Sequence, residues 1–282
     1  MAARARDQLG RFGVWRRADD VSPDLAAHLE GLGFGTVWLG GSPAGDLRDV
    51  DPLLAATTTL TVATGIVNVW ASDARETAAA WARLDAAHPG RFLLGVGIGH
   101  PEATREYRSP YETLESYVAT LHSSGVPADG LVLAALGPKV LRLAARQAAG
   151  AHPYLVTAEH TRSARALLGE DRVLAPEHKV VLDPDPARAR ALARSRVADP
   201  YLHLSNYTSN LRRLGWSDAD IAAPGSDALI DALVAHGEDK DVAASLAQHL
   251  EAGADHVAVQ LLTQPDADVF EEYRHLARAL AL

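Results

Sequence analysis

The chain has 282 residues, of which 48% are apolar and 22% charged, and this composition is that of an ordinary globular protein. Its net charge of -9 argues against a nucleic-acid partner, because binding to phosphates requires a clustered basic face. The chain contains no cysteine, so disulfides, thiolate metal sites and cysteine nucleophiles are excluded.

The amino terminus carries no targeting pattern. Met1 to Gly10 is polar and lacks the apolar core of a signal peptide. No run of the sequence approaches the roughly 20 apolar residues that cross a bilayer. We therefore expect a cytoplasmic protein without a membrane partner.

Short apolar runs alternate with amphipathic stretches along the whole chain, a pattern typical of βα units and a parallel sheet. Eight alternations favour a closed barrel over an open, doubly wound sheet of five or six strands. We predict an α/β fold, a (β/α)8 TIM barrel that forms one domain over residues 1–282. The predicted strands are Phe12–Trp15, Thr36–Leu39, Leu60–Val67, Phe92–Ile98, Leu131–Leu136, Tyr154–Thr157, Lys179–Leu182 and His256–Leu262.

The helices between these runs are marked at their ends. Ser109 to Glu112 forms a capping box with proline at the first helical position. Gly33 terminates a predicted helix over Asp24–Leu32, and Asp183-Pro184 opens another. The long interval between the seventh and eighth strands predicts a helical insertion over Tyr201–Leu214. It is interpreted as a structural excursion, a substrate lid or a dimer contact.

Three alternate glycines end the fourth strand. Gly95, Gly97 and Gly99 precede His100, a spacing that differs from the dinucleotide fingerprint GxGxxG. We interpret the glycines as a strand face cleared for the approach of a flat ring. In a barrel the carboxyl ends of the strands form the active site, so His100 is a candidate acid or base. The alternative is a histidine in a surface loop.

Two other strand ends carry candidate binding groups. Asn68 ends the third strand, where its amide could bind a ligand or cap the next turn. Gly137, Pro138 and Lys139 open the helix after the fifth strand. Free backbone N–H groups at such a helix start bind anions, and the lysine adds a positive charge, although a plain helix start is the alternative.

Several chemistries lack their motifs. The sequence contains no HxH or HExxH pair, no GxSxG elbow and no P-loop, so we predict no metal site and disfavour acyl or phosphoryl transfer by those routes. The second strand ends in Gly40 and Gly41 without an acid or a base. His88, His122 and His249 are expected on solvated helix faces.

Several glycine-rich stretches keep a fixed order and spacing in the first half of the chain. They are Leu32–Trp38, Thr64–Ile66, Leu84–Asp85, Pro89–Phe92 and Leu94–Gly99. In these stretches the chain resembles the luciferase-like monooxygenase superfamily. Through Trp38–Pro43, Ala134–Lys139 and Gly150–Thr157 it is most similar to the actinobacterial coenzyme F420-dependent oxidoreductases within that superfamily.

This resemblance implies a barrel that holds a deazaflavin against a bulge in the third strand. F420 enzymes of this group carry a non-proline cis peptide there, and the matching bond is Gly65-Ile66. From the resemblance we also expect a homodimer and a small-molecule substrate. The implied cofactor-binding residues are Gly65, Ile66, Asn68, Gly97 and Gly99 around the ring, and Gly137, Pro138, Lys139 and Thr157 at the ribityl-phosphate arm.

The sequence departs from the family pattern at two places. His100 stands where some members place a glutamate proposed as proton donor. Gly40 and Gly41 replace the Asp-His pair of the glucose-6-phosphate members, which argues against oxidation of a sugar phosphate. We predict an F420-dependent oxidoreductase that transfers a hydride between deazaflavin C5 and a small organic substrate. The alternatives are an FMN-dependent luciferase-like monooxygenase and a non-catalytic, cofactor-binding barrel.

Overall fold

A curled parallel sheet forms the centre of the molecule in the computed structural model, which describes residues 8–99 and 109–282. All of its strand pairings are parallel. The strands are β1 (Phe12–Arg17), β2 (Thr36–Gly40), β3 (Thr61–Thr64), β4 (Val67–Asn68), β5 (Phe92–Gly97), β6 (Leu131–Leu133), β7 (Gly150–Ala151), β8 (Val173–Leu174), β9 (Glu177–Val181), β10 (Val234–His236) and β11 (Val257–Leu261).

Helices pack on the outside of the sheet. Short 3-10 turns lie at Ala18–Asp20, Ala128–Gly130 and Tyr201–His203. The α-helices are α1 (Pro23–Gly31), α2 (Val50–Ala55), α3 (Ala74–Ala87), α4 (Pro110–Ser123), α5 (Pro138–Gln147), α6 (Ala158–Leu168), α7 (Pro186–Val197), α8 (Ser205–Arg213), α9 (Asp218–Ile221), α10 (Asp227–Leu233), α11 (Asp239–Glu251) and α12 (Val269–Ala279).

The order of strands brings distant parts of the chain together. Along the sheet the order is β10, β9, β11, β1, β2, β3, β5, β6, β7 and β8, with β4 paired to β5. Only Ala175 and Pro176 separate β8 from β9. The Ala175 N–H donates to the Ala151 carbonyl at 3.0 Å, and the Pro176 carbonyl accepts from the Ala258 N–H at 2.9 Å. One stretch of chain therefore contacts both β7 and β11, and the sheet curls back on itself.

One predicted strand needs correction, and two observed strands were not predicted. Tyr154–Thr157 is not a strand. The predicted sixth strand is instead β7, which begins four residues earlier, at Gly150–Ala151. A Cβ on Gly150 would lie 1.8 Å from the Val173 carbonyl oxygen, so only glycine permits this approach of β8. The strands β8 and β10 were not predicted, since two or three residues are too few for a periodic signal.

Other boundaries moved by a few residues. The predicted third strand is interrupted at Gly65 and Ile66, between β3 and β4. Asp185, not Asp183, caps α7, because its side chain accepts from the N–H groups of the first helical turn. The predicted N-cap of α4 is confirmed, because the Ser109 hydroxyl accepts from the Glu112 N–H at 3.4 Å, but this is the serine half of the predicted capping box.

The interval between β9 and β11 is mostly helical. It contains α7 to α11 together with β10, and the stretch predicted as one helix divides into the Tyr201–His203 turn and α8. Their apolar residues form a second core that includes Leu202, Tyr207 and Leu211. Among residues 8–99 and 109–282, no helix combines the length and apolar character needed to span a membrane.

Candidate active site

A cavity opens where several strands reach their carboxyl ends. It has a volume of about 530 Å³, within the roughly 300 to 1,000 Å³ of small-molecule sites. Its walls come from the ends of β1, β2, β3, β5, β6 and β7. The helical interval covers one side with Tyr201, Ser205, Asn206, Tyr207, Ser209 and Arg213.

Glycines and isoleucines from the ends of β3 and β5 form one wall of the cavity. Gly65 and Ile66 line it, and the peptide bond between them is cis, as the resemblance implied. A Cβ on Gly97 would lie 3.1 Å from the Ile66 side chain. Gly99 has a φ of 59°, and its Cβ would lie 2.8 Å from the Asn68 amide nitrogen. Gly97 and Gly99 therefore make room for the side chains of Ile66 and Asn68.

The predicted binding residues divide into two groups. Gly65, Ile66, Gly99 and Gly137 line the cavity, and a Cβ on Gly137 would meet no atom within 4 Å. Gly97 lies directly behind this wall. The predicted catalytic residue, His100, lies outside the described residues.

The remaining predicted residues are not among the described residues that line the cavity. Asn68 caps a turn, because its side-chain oxygen accepts from the Trp70 N–H at 3.0 Å. Pro138 and Lys139 begin α5, where Gly137 is the N-cap. Thr157 is buried and caps α6, and its hydroxyl accepts from the His160 N–H at 3.4 Å. In this structure Asn68 and Thr157 make the local contacts of capping residues.

Two polar atoms at the cavity wall have no hydrogen-bond partner among the described residues. They are Nε1 of Trp15 and Nε2 of His152, and both side chains are buried. Each atom points toward Gly65, since a Cβ there would lie 2.9 Å from Trp15 Nε1 and 3.0 Å from His152 Nε2. Buried polar groups are nearly always paired, so this arrangement requires an explanation.

The protonation state of His152 follows from its surroundings. Its Nδ1 lies 2.7 Å from the Ala175 carbonyl oxygen, which can only accept, so Nδ1 carries the hydrogen. The ring stacks on Trp38 with 4.1 Å between centroids. Burial lowers the pKa of His152 to about 4. At neutral pH the ring is therefore uncharged, and Nε2 presents a lone pair.

A second histidine contacts the same tryptophan from the amino end of the sheet. The indole N–H of Trp38 donates to His256 Nε2 at 3.0 Å, and His256 Nδ1 donates to the Gly10 carbonyl at 2.8 Å. Burial lowers the pKa of His256 to about 4 as well. Every ring nitrogen of this pair is satisfied inside the protein.

A buried ion pair lies next to Tyr154, a residue of the cavity lining. Lys179 Nζ donates to Glu177 at 2.9 Å, and both side chains are almost fully buried. The ammonium lies 4.1 Å from the centroid of the Tyr154 ring. Burial lowers the pKa of Lys179, whereas the Glu177 carboxylate opposes that change.

Tyrosine hydroxyls continue this network toward the cavity. Tyr154 donates to Gln260 at 2.9 Å and accepts from the Tyr201 hydroxyl at 3.0 Å. The ring of Tyr207 lies 5.1 Å from that of Tyr201. All three tyrosines line the cavity, so the network joins β9 and β11 to the helical interval that covers it.

The cavity carries positive charge at two points. Arg17 and Arg213 line it, and no carboxylate occurs among the described residues that line it. Arg213 donates to the Asn210 side chain at 3.0 Å. Such a lining favours a ligand with an anionic group.

Sequence reasoning missed Trp15, His152 and the Lys179–Glu177 pair. His152 directly follows β7, and a histidine at a strand's carboxyl end was a usable signal, but the strand itself had been placed four residues too late. Gly40 is explained by Trp15, because a Cβ on Gly40 would lie 1.9 Å from the indole ring. The Trp15 indole therefore lies against the end of the second strand, where the sequence has Gly40 and Gly41 and no acid or base.

The prediction of solvated helix histidines was wrong. His249 is buried, and its Nε2 lies 3.0 Å from His178 Nδ1. His122 is partly buried between the Val126 and Gln147 carbonyl oxygens. His88 has a side chain that is 17% exposed and contacts Asp51. Within the part of the chain that the structure describes, no group of three metal-ligating side chains is assembled.

Comparison with protein families adds an independent observation. Residues 20–123 match the model of the luciferase-like monooxygenase family. The resemblance to this family is therefore confirmed. No curated protein sequence matches the chain.

Solved structures with the same luciferase-like fold cover nearly the whole chain. An F420-dependent secondary alcohol dehydrogenase in complex with an F420-acetone adduct has a TM-score of 0.73 and 15% identity, with coverage of 96% of this chain and 98% of that chain. The coenzyme F420-dependent tetrahydromethanopterin reductase of Methanopyrus kandleri has a TM-score of 0.68 and 17% identity, with the same coverage.

An FMN complex also shares this fold. The oxygenating constituent of 3,6-diketocamphane monooxygenase from Pseudomonas putida, a type II Baeyer-Villiger enzyme, has a TM-score of 0.66 and 12% identity, and the match covers 96% of each chain. The fold is thus shared by proteins that bind F420 and proteins that bind FMN.

Proposed function

We propose that the protein is an F420-dependent oxidoreductase that transfers a hydride between deazaflavin C5 and a small organic substrate. The observation that carries this proposal is the cavity at the carboxyl ends of the strands, whose lining includes Gly65, Gly99 and Gly137. When bound, F420 would supply the redox chemistry, while the protein binds, orients and excludes water.

The residues present fit such a cofactor. Gly65 and Gly99 contribute no side chain to the lining of the cavity, which suits the close approach of a planar ring. Gly137 leaves open space at the start of α5, where free N–H groups suit an anionic arm. Arg213 on the covering helix adds positive charge to the cavity. Asn68, Gly97, Pro138, Lys139 and Thr157 remain proposed cofactor positions, and His100 remains the proposed acid or base.

We also propose that the curled sheet is a closed barrel. We describe the curled sheet as a (β/α)8 barrel, in which β8 and β9 form the seventh strand and the interval before β11 is a helical insertion. Tyr201, Tyr207 and Arg213 from this interval line the cavity, which favours a substrate lid over a distant excursion. A single domain, a homodimer and a cytoplasmic location stay predictions.

A titration with two cofactors tests the proposal. The apoprotein is titrated separately with F420 and with FMN, and binding is followed by the absorption and fluorescence of each cofactor. The expected result is tight, saturable binding of F420 only. Binding of FMN alone at micromolar affinity or better would contradict the proposal and favour a flavin-dependent monooxygenase. F420 binding without turnover of any alcohol, imine or enone would favour a non-catalytic barrel.

A further inference from the structure

The two arginines of the cavity lining belong to different parts of the fold. Arg17 is the last residue of β1, and Arg213 is the last residue of α8. Burial lowers the pKa of His160, and the positive charge of Arg213 lowers it further. His160 Nε2 in turn donates to the Leu136 carbonyl at 2.9 Å. Arg213 therefore lies on the side of the cavity where Leu136 leads into Gly137.

The guanidinium of Arg17 lies beside the end of β2. A Cβ on Gly41 would be 3.4 Å from Arg17 Cζ, so the guanidinium packs against this residue. Burial raises the pKa of Tyr201, and the positive charge of Arg17 opposes that rise, so Arg17 also lies near the helical interval. Gly41, Ser42 and Tyr201 all line the cavity. These residues and Arg17 form one end of it.

The proposed cofactor positions lie on the other side of β2. Along the sheet, β2, β3 and β5 separate β1 from β6. Gly65 follows β3, Gly99 follows β5 and Gly137 follows β6. The order of these positions leads from the centre of the sheet toward Arg213 and away from Arg17. The positive charge of Arg17 is therefore placed for a second anionic group, separate from the cofactor arm.

The contacts of Arg17 leave its guanidinium able to bind a ligand. Its Nη2 donates to the Asp19 carboxylate at 3.4 Å, and the two side chains are 59% and 80% exposed. Ion pairs between exposed side chains contribute little, so a ligand can compete with Asp19. A guanidinium matches the two oxygens of a carboxylate in a bidentate contact. With Asp19 so close, a single positive charge suits a carboxylate better than a doubly charged phosphate.

Two tyrosine rings provide an apolar surface next to this charge. The rings of Tyr154 and Tyr201 both line the cavity, with 5.3 Å between their centroids. We propose that the substrate is a small carboxylate whose charged group binds Arg17 and whose apolar skeleton packs against Tyr154 and Tyr201. The inference rests on the proposed function in calling this acid a substrate. The carboxylate site itself requires no cofactor.

Benzoate and benzamide test the site in the apoprotein. The two probes have nearly the same shape, and only benzoate is charged. Each is titrated into the protein, and binding is followed by 1H–15N spectra. We expect benzoate to bind about tenfold more tightly than benzamide, because charge-assisted hydrogen bonds are stronger than neutral ones. High salt should reduce this preference, since the guanidinium is exposed to solvent.

Four variants separate the role of Arg17 from that of charge in general. Arg17→Gln should abolish the preference for benzoate, whereas Arg17→Lys should keep part of it, because the charge remains and the bidentate geometry is lost. Asp19→Asn should strengthen benzoate binding about twofold, since it removes a competing carboxylate. Arg48→Gln is the matched control. Arg48 pairs with Asp46 at the surface, and its loss makes the same change in net charge without affecting the preference.

Several results would overturn the proposal. They are equal affinities for benzoate and benzamide, a preference that persists in Arg17→Gln, and tighter binding of phenyl phosphate than of benzoate. A loss of F420 affinity in Arg17→Gln as large as the loss of benzoate affinity would also overturn it, because Arg17 would then bind the cofactor. Selective benzoate binding without any binding of F420 would contradict the proposed function and support the carboxylate site.

Discussion

Two tryptophan–histidine pairs lie against each other inside the sheet, and they differ in one respect. In the Trp38–His256 pair the indole N–H donates to the imidazole, and the second ring nitrogen donates to a backbone carbonyl. In the Trp15–His152 pair the histidine makes the same kind of backbone contact, but within residues 8–99 and 109–282 the indole N–H and Nε2 have no hydrogen-bond partner. We call Trp38–His256 the closed pair, because its polar atoms are hydrogen-bonded within the protein, and Trp15–His152 the open pair, because its indole N–H and Nε2 are not.

The position of each pair explains the difference. His256 directly precedes β11, at its amino end, and is fully buried. His152 follows β7 at its carboxyl end, beside the cavity. In parallel α/β folds the amino end of the sheet carries stability and the carboxyl end carries function. Paired polar groups should therefore contribute to stability, and unpaired ones to ligand binding.

The largest loss of stability is expected when the buried Lys179–Glu177 ion pair is broken. Lys179→Met leaves Glu177 buried without its ammonium partner, and such losses cost about 3 to 5 kcal/mol in the free energy of unfolding. Urea denaturation measures this change. Lys240→Met is the control, because Lys240 forms an ion pair with Glu238 at the surface, and no measurable change is expected. Equal stability of both variants would contradict the larger contribution that we assign to the buried ion pair.

Acid should weaken the interior through its neutral histidines. Burial lowers the pKa of His152, His178 and His256 from 6.5 to about 4. The unfolded chain binds more protons than the folded one between these values, so stability is complete above pH 6.5 and falls as the pH drops toward 4. At pH 6.0 the free energy of unfolding should be about 2.5 kcal/mol lower than at pH 7.5. A pH-independent value would show that these histidines titrate normally.

A smaller difference should separate the two tryptophans. Trp38→Phe removes a hydrogen bond and leaves His256 Nε2 buried and unpaired, whereas Trp15→Phe removes an N–H that has no partner. Both changes delete the same ring atoms. We expect Trp38→Phe to be the less stable variant by about 1 to 2 kcal/mol, as measured by thermal or urea unfolding. The reverse order would contradict the assignment of the open and closed pairs.

The sequence predicted the parallel α/β architecture because long apolar runs and helix caps are local signals. It placed the first five strands nearly correctly, although it gave the third as one continuous strand where the structure has β3 and β4. It failed at Tyr154–Thr157, where apolar residues belong to a loop and a helix cap, and where Gly150 is needed for an approach that only the folded chain reveals. Short strands such as β8 and β10 are defined by their neighbours, not by their own residues.

The candidate site was predicted only in part, for a related reason. Gly65, Gly99 and Gly137 were found from local spacing and from the family resemblance. Trp15 and His152 are separated by most of the sheet in sequence, and only the curl of the sheet brings their unpaired atoms to the same space. The proximity of an unpaired donor and an unpaired acceptor depends on the tertiary structure, so no single segment of the sequence predicts it.

Binding of F420 to a matched pair of glycine variants tests the central claim most directly. A Cβ would meet no neighbour at Gly137, which lines the cavity, or at Gly31 at the end of α1. Both alanine variants should fold, and each is titrated with F420. We predict affinity at least about fivefold weaker for Gly137→Ala and unchanged for Gly31→Ala, since a methyl group in a filled site costs about 1 to 3 kcal/mol. Equal affinities of both variants and the wild-type protein would contradict binding of the cofactor in this cavity.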